Sequence, residues 1–148
     1  MNKTGENAIC ALLWGEFAEE RVLLHEIFRK PGWRLFEAGD RRKALQCLER
    51  NPVQVVIADS AGHNWSWKSV LQDLRRLALP PQLLVAARQA DDSLWAEVLN
   101  FGAYDLLARP LVREEVERVV ESARRHFHAP PRRANQAQMV LSAPAGAA

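Results

Sequence analysis

Apolar and polar residues along this chain form five successive units, each a strand-like segment followed by a helix-like segment. The strand-like segments are short apolar runs, and in each helix-like segment the apolar residues recur every three or four positions. The predicted strands are 8–14, 33–38, 53–58, 83–87 and 104–108. The predicted helices are 18–30, 40–50, 67–79, 91–101 and 113–126.

Apolar strands that alternate with amphipathic helices predict a parallel sheet with helices on both faces, which is the α/β class. For five strands at this length we expect a flavodoxin-like, doubly wound (βα)5 fold with strand order 2-1-3-4-5. Helices one and five should lie on one face of the sheet, and helices two, three and four on the other. In this fold, ligands bind at the carboxyl ends of strands one and three, where the strand order reverses.

Length and composition agree with one domain and a short tail. The chain has 148 residues and a formal net charge of +2, which is too small to favour nucleic acid or membrane surfaces as partners. We expect residues 1–128 to form the domain and residues 129–148 to be a flexible tail or linker. Cys10 and Cys47 lack a metal-binding spacing, so we expect buried, reduced thiols in a cytoplasmic protein. No apolar run approaches the roughly 18 residues that a membrane span needs.

Charged residues follow three of the predicted strands, at the edge where this fold binds ligands. Glu16 follows strand one, Asp59 follows strand three and Arg109 follows strand five. Carboxylates hold hard cations or act as nucleophiles, and a guanidinium pairs with phosphate oxygens, so this set fits a phosphoryl group. The alternative is structural: Asp59 caps the loop after its strand, and Arg109 neutralises it. Spacing alone leaves both interpretations open.

Four segments, by their order and spacing, resemble the receiver domains of two-component response regulators, over about residues 9–123. The segment Val55–Asp59 is similar to the strand that ends on the family's phospho-acceptor aspartate. The segments 39–45, 71–75 and 100–110 are similar to the start of the second helix, the third helix and the stretch that ends in Lys-Pro. The resemblance implies a non-enzymatic receiver domain that acts in phosphorelay signal transduction.

The resemblance also implies roles for the residues at the carboxyl edge. Asp59 would accept a phosphoryl group from a sensor histidine kinase or a phosphotransfer protein, and Arg109 would pair with the phosphoryl oxygens. Glu16, Asp59 and the backbone carbonyl of Ala61 would bind Mg²⁺. The bond between Arg109 and Pro110 would be cis, a form that costs only about 0.5–1 kcal/mol before proline. A protein partner, or a second copy, would bind the face of helix four, strand five and helix five.

Four departures from the family pattern fall in this one pocket. Gly15 stands where the family has a second acid, and Ala86, or Ala87 if the register shifts by one, stands where the family has Thr or Ser. Arg109 replaces a Lys, and the segment 62–67 replaces a Met-Pro-x-x-Asp-Gly loop. We therefore expect slow phosphorylation of the acceptor aspartate and weak Mg²⁺ binding.

Two other functions are compatible with the sequence. One is a pseudo-receiver that acts by protein contact, without phosphoryl chemistry. The other is a flavodoxin-like nucleotide binder, which needs a phosphate-binding loop after strand one. The segment 14–20 is acidic there and would repel a phosphate, so this function is the more remote. We expect neither a membrane nor nucleic acid as a partner.

Four tryptophans need a structural assignment. We expect Trp14 and Trp95 to pack in the core, because each lies on an apolar face of its predicted element. Trp65 and Trp67 flank the loop after strand three and are either packed inward or part of a contact patch.

Overall fold

The computed structural model describes residues 8–127. In this range, five strands of one sheet alternate with five helices. The strands are β1 (Ile9–Trp14), β2 (Trp33–Ala38), β3 (Val55–Asp59), β4 (Gln82–Ala87) and β5 (Asp105–Ala108). The helices are α1 (Arg21–Ile27), α2 (Arg41–Arg50), α3 (Trp67–Arg75), α4 (Asp92–Phe101) and α5 (Arg113–Phe127). The expected tail, 129–148, lies outside the described residues.

The five strands form one parallel sheet in the order β2-β1-β3-β4-β5. Because β1 lies between β2 and β3, its last residue, Trp14, is beside Ala38 of β2 and Ala58 of β3. The predicted α/β class and the flavodoxin-like strand order are confirmed. The carboxyl ends of all five strands therefore meet at one edge, which carries the candidate site.

Two separate apolar cores cover the two faces of the sheet, because successive side chains of a strand point to opposite faces. On one face, Ala11 and Leu13 of β1 pack with residues of α1 and α5. On the other face, Leu12 and Trp14 pack with residues of α2, α3 and α4. The predicted distribution of the helices is confirmed, and so is the buried position of Trp14. β1 is buried on both faces, as an inner strand of an α/β sheet should be.

Side-chain caps fix where two helices begin. The Asp40 carboxylate accepts a hydrogen bond from the Lys43 backbone N–H (2.8 Å) at the start of α2. Asp91 accepts one from the Leu94 backbone N–H (2.9 Å) at the start of α4. These bonds satisfy N–H groups that the first turn of a helix leaves without a partner. Asp40 and Asp91 are the first residues of the helices predicted at 40–50 and 91–101, and α4 ends at the predicted last residue, Phe101, with Gly102 as its C-cap.

Helix α1 is shorter than the predicted segment 18–30, since it begins at Arg21 and ends at Ile27. Glu20 precedes the helix, and its side chain makes no capping hydrogen bond. Instead, the chain turns at this point, with the Glu20 backbone N–H donating to the Phe17 carbonyl (3.1 Å). The Glu20 side chain is thereby left for a different contact, at the edge of the sheet.

A short antiparallel hairpin follows β3, where the sequence predicts a polar loop. It pairs Ala61–Gly62 with Trp65–Ser66, and we call residues 61–66 the pocket hairpin. Trp65 and Trp67 are buried, with 8% and 6% exposure. Of the two alternatives for these tryptophans, inward packing is therefore confirmed.

The prediction that Trp95 packs in the core is wrong, since this residue is 49% exposed. Val98 is the one fully buried residue of α4. The physical reason is the position of α4 beside β5, the edge strand, because no further strand extends the sheet beneath the outer side of the helix. The Trp95 indole Nε1 instead donates to Oδ1 of Asp105, the first residue of β5 (3.3 Å).

The two cysteines are free thiols, Cys10 buried and Cys47 partly buried. Burial raises the pKa of both thiols, which favours the neutral, unreactive form. Among residues 8–127, no helix combines the length and the apolar character that a membrane crossing requires.

Burial in the sheet predicts a large difference between two valine truncations. Val56 in β3 is fully buried, whereas Val22 in α1 is 71% exposed. We expect Val56→Ala to lower the free energy of unfolding by about 2 kcal/mol, and Val22→Ala to change it by less than about 0.5 kcal/mol. Urea denaturation followed by circular dichroism measures both values. Equal effects of the two substitutions would contradict the burial of β3 described here.

Candidate functional site

The carboxyl edge of the sheet brings together residues from three segments of the chain. Asp59 is the last residue of β3, and Arg109 directly follows β5. The Arg109 backbone N–H donates to the Ala87 carbonyl (2.9 Å), which fixes its position beside the end of β4. The peptide bond between Arg109 and Pro110 is cis, as predicted. The loop between β1 and α1 completes the group.

The Arg109 guanidinium is the centre of this site and contacts four oxygen atoms. Its Nε and Nη2 donate to the two carboxylate oxygens of Glu20 at 3.0 and 2.9 Å, so this pair is bidentate. Its Nη1 lies 3.1 Å from Oδ2 of Asp59. Its Nη2 also donates to the backbone carbonyl of Glu16 (3.3 Å). One side chain thus joins the ends of β3 and β5 to the loop between β1 and α1.

These charges are largely withdrawn from water. The side chains of Arg109 and Glu20 are only 6% and 3% exposed, whereas that of Asp59 is 24% exposed. The Phe17 ring covers the guanidinium, with its centroid 4.5 Å from Cζ. A buried guanidinium is stable only when it is paired and hydrogen-bonded, and the bidentate contact with Glu20 meets this condition.

Glu20 and Arg109 are both charged at neutral pH. Burial raises the pKa of Glu20, but the hydrogen bonds and the charge of Arg109, with a backbone hydrogen bond from Leu111, outweigh it and hold this pKa below its usual value. The hydrogen bond to Glu20 raises the pKa of Arg109 despite its burial, and the charge of Asp59 adds to the increase. Each partner therefore stabilises the charged form of the other.

The sequence interpretation assigned the acidic role in the loop between β1 and α1 to Glu16, but the carboxylate that contacts Arg109 is that of Glu20. Glu16 is exposed, and its contact with the guanidinium is through the backbone carbonyl. A sequence signal for Glu20 exists, because Phe17, Glu20 and Leu24 share the i, i+3, i+7 spacing of a buried helical face. An acid on such an apolar stripe indicates a buried partner of opposite charge.

The indole ring of Trp65 fills the other side of the site. A Cβ at Gly62 would lie 2.1 Å from this ring, and a Cβ at Gly15 would lie 3.1 Å from it and 3.0 Å from Cβ of Asp59. Gly15 also has a φ of 124°, a conformation that residues with a side chain rarely adopt. Trp65 packs against Trp14, with their ring centroids 6.2 Å apart. The space where the resemblance implies a second acid therefore holds an aromatic ring.

The register of β3 and β4 shows which alanine lies beside Asp59. Asp59 pairs with Ala86. Ala86 packs in the core under α1 and α5, as does Ile57, two residues before Asp59, whereas Ala87 belongs to the opposite core. Ala86 is therefore the residue of β4 on the same face as Asp59, and its methyl group offers no hydrogen bond there.

The described side chains do not fit a divalent cation while Arg109 is in place. Within residues 8–127, no group of three or more His, Cys, Asp or Glu side chains is arranged to hold a metal ion. A cation bound to Asp59 would meet the guanidinium, and two like unit charges 4 Å apart repel by about 4 kcal/mol at an effective dielectric of 20. The Mg²⁺ ligand set of Glu16, Asp59 and Ala61 stays a prediction, as does its weak affinity.

Comparison with solved structures finds this fold in receiver domains of response regulators. The receiver domain of an HD domain-containing protein from Pseudomonas fluorescens Pf-5 is 21% identical, with 82% of this chain and 98% of that chain covered and a TM-score of 0.71. The receiver domain of the Francisella response regulator 1452 is 19% identical (80% and 98% covered, TM-score 0.69). The chemotaxis response regulator CheY4 of Vibrio cholerae is 16% identical (78% and 98% covered, TM-score 0.68).

These likenesses show the fold of the chain. The three identities lie below 25%, and no protein-family model and no curated protein sequence matches the chain. The chain thus has the receiver-domain fold, and each of these receiver domains is covered over almost its whole length.

The crowding at Gly15 predicts strain when a side chain is added there. We expect Gly15→Ala to lower the free energy of unfolding by about 1–3 kcal/mol, because φ is positive and the new methyl group meets Asp59 and Trp65. Gly39→Ala is the matched control, since a Cβ there meets nothing within 4 Å. Thermal denaturation followed by tryptophan fluorescence measures both. A Gly15→Ala protein as stable as Gly39→Ala would show that Trp65 does not fill this space.

The lowered pKa of Glu20 predicts a dependence of stability on pH. The ionised carboxylate stabilises the fold above the unfolded-state pKa, near 4.5, and this contribution is lost as the pH falls through the lower folded-state pKa. We expect Glu20→Gln to cost about 3 kcal/mol at neutral pH and to flatten the acid side of the stability profile. Glu19→Gln, at a side chain that is 64% exposed, is the control. Denaturant titrations across the acid range measure the free energy of unfolding at each pH. Parallel pH profiles for wild type and Glu20→Gln would refute a contribution of Glu20 to the pH dependence.

Proposed function

We propose that this chain is a receiver-type signalling module that acts through protein contact, with Asp59 neutralised by Arg109 rather than used for efficient phosphoryl transfer. The observation that carries this proposal is the buried bidentate pair of Arg109 and Glu20. The third guanidinium nitrogen of Arg109, Nη1, contacts the Asp59 carboxylate. A phosphoryl group on Asp59 would have to displace this contact or share it. The function is therefore the pseudo-receiver alternative of the sequence analysis.

The fold supports a place in two-component signalling. The compared structures are receiver domains, one of them a chemotaxis response regulator. By this likeness, the partner is a sensor histidine kinase or a phosphotransfer protein, and the site of action is the cytoplasm. Because the inference comes from the fold, it identifies the class of partner and leaves the individual kinase open.

The face formed by α4, β5 and α5 is the proposed contact surface for a protein partner or a second copy. Trp95 on α4 is 49% exposed, and Val112, just before α5, is 53% exposed. Leu99 on α4 is partly exposed as well. Exposed large apolar side chains favour a protein interface, and tryptophan is enriched in such interfaces.

A second function, phosphoryl acceptance by Asp59, is favoured by one specific observation. The Asp59 side chain keeps 24% exposure at the carboxyl edge, so a small phosphodonor has access to it. Arg109 would then pair with the phosphoryl oxygens through its planar guanidinium. Since Ala86 offers no hydroxyl, one hydrogen bond to a charged group, worth roughly 1.5–3 kcal/mol, is missing. We therefore expect this reaction to be slow.

Labelling with a small phosphodonor separates the two functions. With acetyl phosphate and Mg²⁺, we expect the wild-type chain to gain phosphoryl mass at least about tenfold more slowly than a receiver domain with an intact acidic pocket, because about 1.4 kcal/mol corresponds to a factor of ten. Intact-mass spectrometry measures the modified fraction over time. Asp59→Asn tests the acceptor, and Asp92→Asn, at an exposed aspartate, is the matched control.

Each outcome assigns the function differently. Little labelling, equal in wild type, Asp59→Asn and Asp92→Asn, supports the pseudo-receiver. A second outcome is fast, Mg²⁺-dependent labelling that is lost in Asp59→Asn and retained in Asp92→Asn. This outcome would assign the phospho-acceptor function in place of the pseudo-receiver. Labelling that survives in Asp59→Asn would mean that a different residue is the acceptor.

A further inference from the structure

The oxygen atoms around Arg109 form a set that chemically resembles a binding site for a hard cation. Two come from the Glu20 carboxylate, one from the Asp59 carboxylate and one from the Glu16 backbone carbonyl, all within 3.3 Å of the guanidinium nitrogens. Carboxylates and backbone carbonyls are the ligands that Mg²⁺ and Ca²⁺ take in proteins. Here, the positive group at the centre of the set is a side chain of the chain itself.

Glu20 determines how this guanidinium is oriented. Its two oxygens bind Nε and Nη2, and this geometry directs Nη1 toward Asp59. With 3% exposure, the Glu20 side chain has little contact with water that could compete for these bonds.

We infer that Arg109 is the resident cation of the Asp59 pocket and that Glu20 is the positioning residue that holds it there. The inference rests on the proposed function, in which Asp59 is neutralised, and it adds a consequence for metal binding. The native chain supplies its own positive charge, so a divalent ion would add no further stabilisation to the carboxylates of this pocket. Removal of the guanidinium leaves the oxygens of Glu20, Asp59 and Glu16 facing one another, and an external cation then takes its place.

The chain offers a matched control in a second bidentate pair. Arg41 binds the buried carboxylate of Asp73 through Nε (2.8 Å) and Nη2 (3.0 Å), between α2 and α3. The Asp73 side chain is 6% exposed, close to the value for Glu20. Loss of Arg41 therefore also uncovers a buried acid, but a single carboxylate rather than a set of converging oxygens.

The test is a titration of the full chain with Mn²⁺, followed by electron paramagnetic resonance of the free ion. Wild type and Arg41→Ala should show no saturable binding in the millimolar range. Arg109→Ala should bind one Mn²⁺ with a Kd at least about tenfold below the highest Mn²⁺ concentration at which wild type shows no saturation, and Glu20→Gln added to Arg109→Ala should weaken that site by roughly 10- to 100-fold. Circular dichroism confirms that each variant is folded.

Two results overturn the inference. One is a folded Arg109→Ala chain that binds Mn²⁺ no better than Arg41→Ala. The other is saturable Mn²⁺ binding by wild type that is lost in Asp59→Asn. This comparison tests the inference even if Arg109→Ala does not fold. No phosphodonor is present, so the outcome is separate from that of the labelling experiment. Fast labelling of Asp59 together with no Mn²⁺ binding by wild type would refute the proposed function alone.

Discussion

A buried guanidinium needs oxygen partners on every donor side, and this requirement organises the carboxyl edge of the sheet. Arg109 satisfies it with the carboxylates of Glu20 and Asp59 and the carbonyl of Glu16. Glu16 and Glu20 belong to the loop between β1 and α1, Asp59 ends β3, and Arg109 follows β5. These three segments are therefore fixed relative to one another. Loss of the Glu20 carboxylate would leave the buried charge of Arg109 without its bidentate partner, which costs more than the pair itself contributes.

The apolar half of the site follows from the same arrangement. With its charge already neutralised, Asp59 needs no further polar groups around it, and a large ring is tolerated next to it. The Trp65 ring lies against Gly15 and Gly62, two positions where only the absence of a side chain leaves room. The departures from the receiver pattern at Gly15 and in the pocket hairpin are therefore one structural change, since the ring and the glycine require each other.

Most of the fold could be predicted from the sequence, because strand and helix periodicity and the caps at Asp40 and Asp91 are local signals. The pocket hairpin could not, since its strands are too short to show a period. Trp95 was misplaced because periodicity defines an apolar face without showing where the sheet ends. Asp59 and Arg109 could be located because they directly follow strands. Glu20 was missed because loop side chains have no fixed direction, although the spacing of Phe17, Glu20 and Leu24 contained the signal.

The low burial of α4 has a consequence for the order in which parts of the molecule unfold. Val98 is the one fully buried side chain of this helix, whereas α5 contributes four. Segments with few buried apolar contacts unfold locally at a lower free energy than the core. The backbone amides of α4 should therefore exchange their hydrogens with solvent through partial opening, while those of β1 and β3 exchange only when the whole sheet comes apart.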